Sequence, residues 1–218
     1  MKLLDWGRKN RHCLLLLYWI PFLTAFYLLE QYIQPRYIVH CRLDDMIPFI
    51  EYFIIPYFSW FLLLPAAFLY TLLNSKEDFQ NLCLIMFGGM TICLIAYILF
   101  PNGLNLRPDS INNNIFGNMV MALQSVDTPS NVCPSIHVST SVSAAIVAAR
   151  SKKMKTCPGL RAGIYIWAAL ISMATMFIKQ HSAVDVILGA ALSLSLSVPV
   201  YGADWRARLK GTCLEIIL

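Results

Sequence analysis

The sequence predicts an all-α membrane protein built as a bundle of six transmembrane helices. Of the 218 residues, 58% are hydrophobic and only 13% are charged, whereas soluble domains carry about 25% charged residues. The apolar residues are gathered into runs, most of which approach the roughly 20 residues that span a bilayer. The charged residues are concentrated at the ends of those runs, as in polytopic membrane proteins. A chain of this length and pattern predicts a single integral-membrane domain over residues 1–218.

Six apolar runs are the predicted spans. The first lacks a small-residue cleavage site, so we interpret it as a retained signal anchor. The fourth is short and rich in serine and alanine, which is typical of a helix packed closely against other helices. The sixth contains Gly189, Ala190 and Ala191, which also favour close packing. The runs are 12–33, 53–73, 81–100, 134–150, 161–178 and 182–201.

The longest connection, 101–133, contains a second helical pattern. Its apolar residues have the spacing of an amphipathic helix lying in the membrane interface. A loop packed on the bundle is an equally compatible interpretation. These residues are Ile115, Phe116, Met119, Val120 and Leu123.

The distribution of basic residues predicts the topology. With six spans, 13 of the 17 lysines and arginines fall on the side that holds both termini. The positive-inside rule therefore places both termini in the cytoplasm. The four on the opposite side are Arg36, Arg42, Arg107 and Lys179.

Composition also argues against other classes of function. Most of the basic residues behind the net charge of +5 flank the spans. The sequence has no basic stripe with interleaved aromatics, which is the pattern that would predict nucleic-acid binding. The seven cysteines contain no CxxC pair or zinc spacing. Cys41 and Cys133 fall in loops on one face, and a disulfide between them is left open.

The segment from Cys133 to His137 has the composition of an anion-binding helix start. Pro134 suits the first turn of a helix, where its missing N–H costs nothing. The backbone N–H groups of Ser135 and Ile136 would then be free, and a helix N-terminus binds anions. Ser135 adds a hydroxyl, and His137 lies within reach of the bound group. On its own, an ordinary helix start is the simpler interpretation.

A second histidine has the spacing of a base with its orienting carboxylate. His181 and Asp185 are four residues apart and share one helix face. A carboxylate that accepts one imidazole N–H leaves the other nitrogen free to attack. A structural pair is the alternative. No third or fourth ligand has the spacing of a metal site. Upstream, Arg107 has a planar fork that matches phosphate oxygens.

Together these motifs resemble the type 2 phosphatidic acid phosphatase (PAP2) superfamily. The carrying residues are Arg107-Pro108, Pro134-Ser135-Ile136-His137 and His181 with Asp185, on six spans. The resemblance runs from about residue 44 to 189, with a domain core of about 44–201. It implies a six-helix PAP2-type bundle with interfacial loop helices on the active-site face.

The resemblance also implies residue roles. His181 would be the nucleophile that forms a phosphohistidine, with Asp185 orienting it. His137 would be the general acid and base. Arg107, Ser135 and the N–H of Ile136 would bind the phosphate. The family uses no metal and no cofactor.

Several positions depart from the family pattern. Phe100 replaces a lysine, Ile136 replaces a glycine, and Ala174 and Thr175 replace a Ser-Arg pair. Two cationic phosphate ligands are therefore missing. Lys179 is a candidate to replace one of them, provided that the chain is a loop at this position, because a helix would turn it away. With these departures, the motif sequences more closely resemble those of the inositol phosphorylceramide synthase-like and bacterial branch of the superfamily. The stretch from Leu43 to Phe49, followed by Pro56-Tyr57, also resembles the bacterial branch.

Three functions follow from the resemblance. The first is a lipid phosphate phosphatase acting on phosphatidic acid or polyprenyl (di)phosphates in a bacterial plasma membrane. The second is a headgroup phosphotransferase with the same first half-reaction. The third is a membrane protein that binds lipid phosphates without turnover. The expected partners are a lipid phosphate and the bilayer, and the topology places the active site on the extracytoplasmic face.

Overall fold

A computed structural model describes residues 11–212, without the side chains of residues 208 and 209. It is a bundle of helices with one very short parallel strand pair. In chain order, the elements are a 3-10 helix (Arg11–Tyr18), α1 (Trp19–Tyr32), β1 (Tyr37–Ile38), α2 (Arg42–Met46), a 3-10 turn (Glu51–Phe53), α3 (Ile54–Phe58), α4 (Trp60–Asn74), α5 (Lys76–Leu99), β2 (Asn102–Gly103), α6 (Ile115–Val126), α7 (Ile136–Arg150), α8 (Lys152–Lys155), α9 (Pro158–Phe177), α10 (Ala183–Gly202) and α11 (Trp205–Leu209).

The predicted helical bundle is confirmed. Five described helices are long and apolar enough to cross a membrane: Arg11–Tyr32, Glu51–Asn74, Lys76–Leu99, Pro158–Phe177 and Ala183–Gly202. The remaining predicted span corresponds to α7, which has only 15 residues. This helix packs against α4, α5, α9 and α10, so its short polar sequence is shielded from lipid by the other helices.

Small residues hold α7 against α10. The Ser139 and Ser193 hydroxyls are 2.8 Å apart, and Ser193 Oγ also donates to the Ser139 carbonyl at 2.7 Å. Ser143 Oγ donates to Ser193 Oγ at 3.2 Å. Serine side chains of this size let two helices approach closely and satisfy their hydroxyls across the interface.

The ends of the helices place all long loops on one face, here called the site face. The amphipathic helix predicted in the longest loop is confirmed as α6, which buries Val120 and Leu123 and exposes Ile115 and Val126. On the same face, β1 pairs with β2 in parallel. Asn102 in β2 orders the following loop, because its Oδ1 accepts the N–H groups of Val132 and Cys133 at 2.9 and 2.8 Å.

Cys41 and Cys133 also lie on the site face, and both are free thiols. Burial and, to a smaller extent, the nearby Asp185 raise the pKa of Cys133 to about 12. A thiol with such a pKa is almost wholly protonated at neutral pH and is therefore a weak nucleophile.

Candidate active site

The two histidines singled out in the sequence face one cavity. His137 is the second residue of α7, and His181 lies in the turn before α10. Their ring centroids are 5.7 Å apart. Both residues line a cavity of about 620 Å³. The fold therefore brings two distant motifs into the wall of one cavity.

His181 is paired with Asp185. Its Nδ1 lies 3.3 Å from Asp185 Oδ2, and that fully buried carboxylate also accepts the Ser182 N–H at 2.9 Å. The Ser182 and Asp185 side chains form a capping box at the start of α10. His181 thus lies just outside the helix, rather than on its face as the spacing suggested. An Nδ1–H that donates to Asp185 leaves the lone pair on Nε2.

His137 has a different environment. Its ring lies 4.7 Å from the ring centroid of Tyr57 and 4.4 Å from that of Trp60. The indole N–H of Trp60 donates to Thr140 at 2.8 Å, which fixes the indole. Among the described residues, no carboxylate forms an ion pair with His137. The ring is held by aromatic packing, which leaves its nitrogens available for proton transfer.

The start of α7 differs slightly from the prediction. The helix begins at Ile136 with Ser135 as its N-cap, so Pro134 precedes the helix instead of occupying its first turn. The fully buried Ser135 hydroxyl accepts the Val138 N–H at 3.3 Å. The N–H groups of Ile136 and His137 have no carbonyl partner within the helix. These two groups and the helix dipole make the end of α7 suited to an anion.

The starts of α7 and α10 are fixed to each other. The Ser135 N–H donates to the Asp185 carbonyl at 3.1 Å. Gly189 allows this approach, because a Cβ at this position would lie 2.6 Å from the Ser135 carbonyl oxygen. From α5, the Tyr97 hydroxyl donates to the Pro134 carbonyl at 2.7 Å. The distance between the two histidines is therefore set by backbone contacts.

Arg107 supports the cavity wall and is not one of the residues that line it. Its guanidinium donates to the carbonyls of Gln124 and Asp127 at 3.0 and 2.5 Å, and to Oε1 of Gln180 at 3.2 Å. Its buried Nε has no partner. Burial lowers the pKa of Arg107, and the negative charges of Asp127 and Glu30 oppose that effect. In this geometry Arg107 positions Gln180 and the loop after α6.

Lys179 also points away from the cavity. Its backbone φ is 58°, so it lies in the turn after α9 and not in a helix. Its ammonium donates to the carbonyls of Asp44 and Ile47 at 2.7 and 2.5 Å, and the residue is only 9% exposed. The expectation that a loop would let Lys179 reach the phosphate therefore has no support in its contacts. Lys179 anchors the loop around α2 to the turn that carries His181.

Asp44 anchors the other side of the same turn. Its carboxylate accepts the Ser182 hydroxyl at 2.6 Å and the N–H groups of Ala183 and Cys41 at 2.8 Å each. Burial alone would raise the pKa of Asp44, but these hydrogen bonds outweigh it and hold the pKa below its ordinary value. The sequence alone relates the stretch containing Asp44 to one branch of the family and gives it no role. The structure shows that it braces the residues on both sides of His181.

The cavity has a polar end and an apolar arm. From the histidines it extends between α1 and α4, where aromatic and leucine side chains line it. From Trp60 to Phe68 the arm follows α4 for about 12 Å, at 1.5 Å per residue. The arm is bounded by Trp19, Phe22, Phe26, Trp60, Leu64 and Phe68. Such a combination suits an amphiphile with a phosphate at one end.

Sequence reasoning missed most of the polar end. Glu30 at the end of α1 accepts the Thr128 hydroxyl at 2.9 Å, and Asp127 accepts the Tyr57 hydroxyl at 3.4 Å. Burial raises the pKa of Asp127, while the nearby His181 and Arg107 oppose the shift. The sequence gives only a positional signal for two residues of this region: Gln180 adjoins His181, and Tyr57 adjoins Pro56.

Two amides complete the polar end. Gln180 and Asn131 are 4% and 5% exposed and line the cavity. Gln180 Nε2 and Asn131 Oδ1 have no hydrogen-bond partner. Asn131 has a positive φ of 55°, which asparagine tolerates better than most residues. Within residues 11–212, no group of three or more His, Cys, Asp or Glu side chains has the arrangement of a metal site.

Comparison with known proteins gives one match. The profile of the PAP2 superfamily matches residues 79–209. The matched region is more than half of the chain and contains the segments that carry Arg107, His137, His181 and Asp185. No curated protein and no solved structure matches the chain.

Proposed function

Because the chain belongs to the PAP2 superfamily, we propose that it is an integral-membrane, metal-independent lipid phosphate phosphatase that uses a phosphohistidine intermediate. One observation supports this above the others: His137 and the His181–Asp185 pair face a single cavity that continues into an apolar arm. Phosphatidic acid and polyprenyl (di)phosphates are the substrates that the family implies.

The first half-reaction follows from the positions of the two histidines. The phosphate lies against the N–H groups at the start of α7, opposite His181. Nε2 of His181 attacks phosphorus, and Asp185 stabilises the positive charge that develops on the imidazole. The bond from phosphorus to the lipid oxygen breaks, and His137 protonates that oxygen. The released lipid alcohol stays in the apolar arm until it returns to the bilayer.

The second half-reaction uses the same groups in reverse. His137, now neutral, accepts a proton from water as the water attacks the phosphohistidine. The P–N bond breaks and phosphate is released at the site face. An alcohol in place of water would give headgroup transfer by the same steps, so the catalytic residues are common to both reactions.

Phosphate release from a lipid tests the proposal. Purified protein should release phosphate from phosphatidic acid or polyprenyl diphosphate in the presence of a chelator. His181→Ala should lower the rate about 1,000-fold, because the nucleophile is lost. Radiolabelled substrate should give an acid-labile label on the wild-type protein alone.

His40→Ala is the matched control. His40 also pairs with a carboxylate, Asp45, at 2.8 Å on the site face, but it does not line the cavity. It should keep wild-type activity. Full activity in His181→Ala would refute the mechanism. A protein that binds these lipids but never becomes labelled would instead be a binding protein without turnover.

The orientation of the chain is part of the proposal. The basic residues place both termini in the cytoplasm of a bacterial cell and the site on the extracytoplasmic face. Cys157 is exposed between α8 and α9, on the opposite side from the site. In intact cells it should resist a membrane-impermeant thiol reagent and react after permeabilisation, with Cys157→Ser as the control. Equal labelling before and after permeabilisation would reverse the orientation.

A further inference from the structure

We propose that the preferred substrate is a lipid phosphodiester whose headgroup carries a primary ammonium group. This inference rests on the proposed function: it keeps the two half-reactions on His181 and assigns them a different class of lipid substrate. The family implies monoesters and diphosphates, which carry more negative charge on phosphorus. The polar end of this cavity has the charges and hydrogen-bonding atoms that suit a zwitterionic headgroup.

The charges lining the cavity are negative. Glu30 and Asp127 line it, and no lysine or arginine does so among the residues that the structure describes. Arg107 lies behind the wall, where its charge acts on both carboxylates. Lys179 is engaged by two backbone carbonyls. A dianionic monoester would therefore meet two carboxylates without a cationic side chain in the cavity to balance it.

The hydrogen-bonding atoms also have an uneven distribution. Three acceptors belong to residues that line the polar end: the Glu30 and Asp127 carboxylates and the buried, unpartnered Oδ1 of Asn131, a residue only 5% exposed. A primary ammonium has three N–H donors and no acceptor. It therefore satisfies these acceptors and neutralises one negative charge. A hydroxyl-bearing headgroup would satisfy the acceptors without any charge gain.

These acceptors lie close together along a chain of hydrogen bonds. Glu30 accepts from Thr128 at 2.9 Å, the Thr128 and Ser130 hydroxyls are 2.6 Å apart, and Asn131 Nδ2 is 3.5 Å from Ser130 Oγ. Asp127 is the residue before Thr128, and its charge acts on Glu30. The five side chains form one patch, here called the acidic patch, beside the histidines.

Gln180 provides a side-chain donor for the phosphate. Gln180 lines the cavity next to His181 and is 4% exposed, and its buried Nε2 has no hydrogen-bond partner. Together with the N–H groups of Ile136 and His137, it provides neutral donors. Neutral donors suit the single negative charge of a phosphodiester better than the double charge of a monoester.

On such a substrate the reaction has the same two half-reactions. Nε2 of His181 forms a bond to phosphorus, the P–O bond to the lipid glycerol breaks, and His137 protonates the glycerol oxygen. Water then forms the new P–O bond, the P–N bond breaks, and the water proton goes to His137. The products are diacylglycerol and an aminoalkyl phosphate.

Release of diacylglycerol tests the inference, because four lipids with the same tails give this product. The purified full chain should be assayed in mixed micelles with phosphatidylethanolamine, phosphatidylcholine, phosphatidylglycerol and phosphatidic acid. We expect phosphatidylethanolamine to have a kcat/KM at least tenfold above the other three. Phosphatidylcholine tests the N–H donors, because its headgroup is cationic without them.

Variants of the acidic patch make the test specific. Glu30→Gln and Asp127→Asn should each lower the preference for phosphatidylethanolamine over phosphatidylglycerol about tenfold. Asn131→Asp adds a carboxylate and should raise it, a gain that misfolding does not produce. Asp109→Asn removes an exposed carboxylate outside the cavity and should leave the preference unchanged.

The outcomes separate the two proposals. Diacylglycerol from none of the lipids, with no phosphate from polyprenyl diphosphate, would overturn the proposed function and this inference with it. Turnover of phosphatidic acid or phosphatidylglycerol at or above that of phosphatidylethanolamine would overturn the inference alone. A preference for phosphatidylethanolamine that persists in Glu30→Gln and Asp127→Asn would overturn the assignment of the patch.

Discussion

The Gly189→Ala substitution tests whether the contact between α7 and α10 sets the geometry of the active site. The new Cβ would lie 2.6 Å from the Ser135 carbonyl oxygen, whereas ordinary contact starts at 3.4 Å, so the two backbones must separate by about 0.8 Å. The oxygen belongs to the N-cap of α7 and moves only with that helix. The separation therefore displaces the start of α7 relative to the turn that carries His181.

The expected effect is large for catalysis and moderate for stability. Misplacement of reacting groups by about 1 Å can lower the rate about 100-fold, so we expect kcat to fall by about that factor. Forcing a methyl group into a packed interface should reduce the free energy of unfolding by about 1–3 kcal/mol. The measurements are initial rates with the preferred lipid and thermal unfolding in the same detergent.

Two other glycines provide matched controls. At Gly88 a Cβ would make ordinary contact with Leu196 at 3.6 Å, and at Gly163 nothing lies within 4 Å. Alanine at either position should keep kcat and gain about 0.5–1 kcal/mol from its higher helix propensity. Wild-type kcat in a folded Gly189→Ala protein would refute the idea that this contact positions the histidines.

Three further substitutions test the residues around the nucleophile. Arg107→Lys should lose most activity, about tenfold or more, because an ammonium cannot hold Gln180 and two carbonyls as the guanidinium does; wild-type kinetics would remove Arg107 from the supporting wall. Asp44→Asn should lower the free energy of unfolding by about 3 kcal/mol at pH 7, because an amide cannot accept all three hydrogen bonds as a charged carboxylate does. The folded-state pKa of Asp44 is lowered, so its contribution is present above the ordinary value of 3.8 and disappears as the pH falls through the lower folded pKa. The two unfolding curves should therefore converge in acid, and a difference that stays constant with pH would contradict this explanation. Lys179→Met should lower stability and kcat together while KM for the lipid changes less than twofold; a rise in KM alone would make Lys179 a substrate ligand.

The spans and the pairing of His181 with Asp185 were predictable because each depends on local sequence. A run of about 20 apolar residues must be helical in lipid, where every backbone group needs an internal partner. The amphipathic helix α6 was predictable because the spacing of its apolar residues is also a local sequence pattern. The start of α7 was off by two residues, because a serine that caps the helix took the place expected for the proline.

The surroundings of His181, the proposed nucleophile, were not predictable, because they depend on contacts between distant segments. The partner of Lys179 lies 135 residues away, in the loop around α2. Arg107 is the only arginine beside a proline in the longest loop, yet tertiary contacts turn it toward Gln124 and Asp127. Motif spacing identified the candidate reacting groups, whereas the charge of the cavity required the fold.

The contacts of Asp44 and Lys179 make the part of the chain that matches the family profile dependent on residues that precede it. The family match begins at residue 79, but the residues flanking His181 are held by a loop that ends before residue 50. A fragment restricted to the matched region would lack the two carbonyls that hold the Lys179 ammonium and the carboxylate that holds Ser182 and Ala183, and it would lose the α1 wall of the lipid arm. The matched region is therefore not an independent module. In a chimera of two relatives, residues 41–47 and the turn before α10 should therefore come from the same parent.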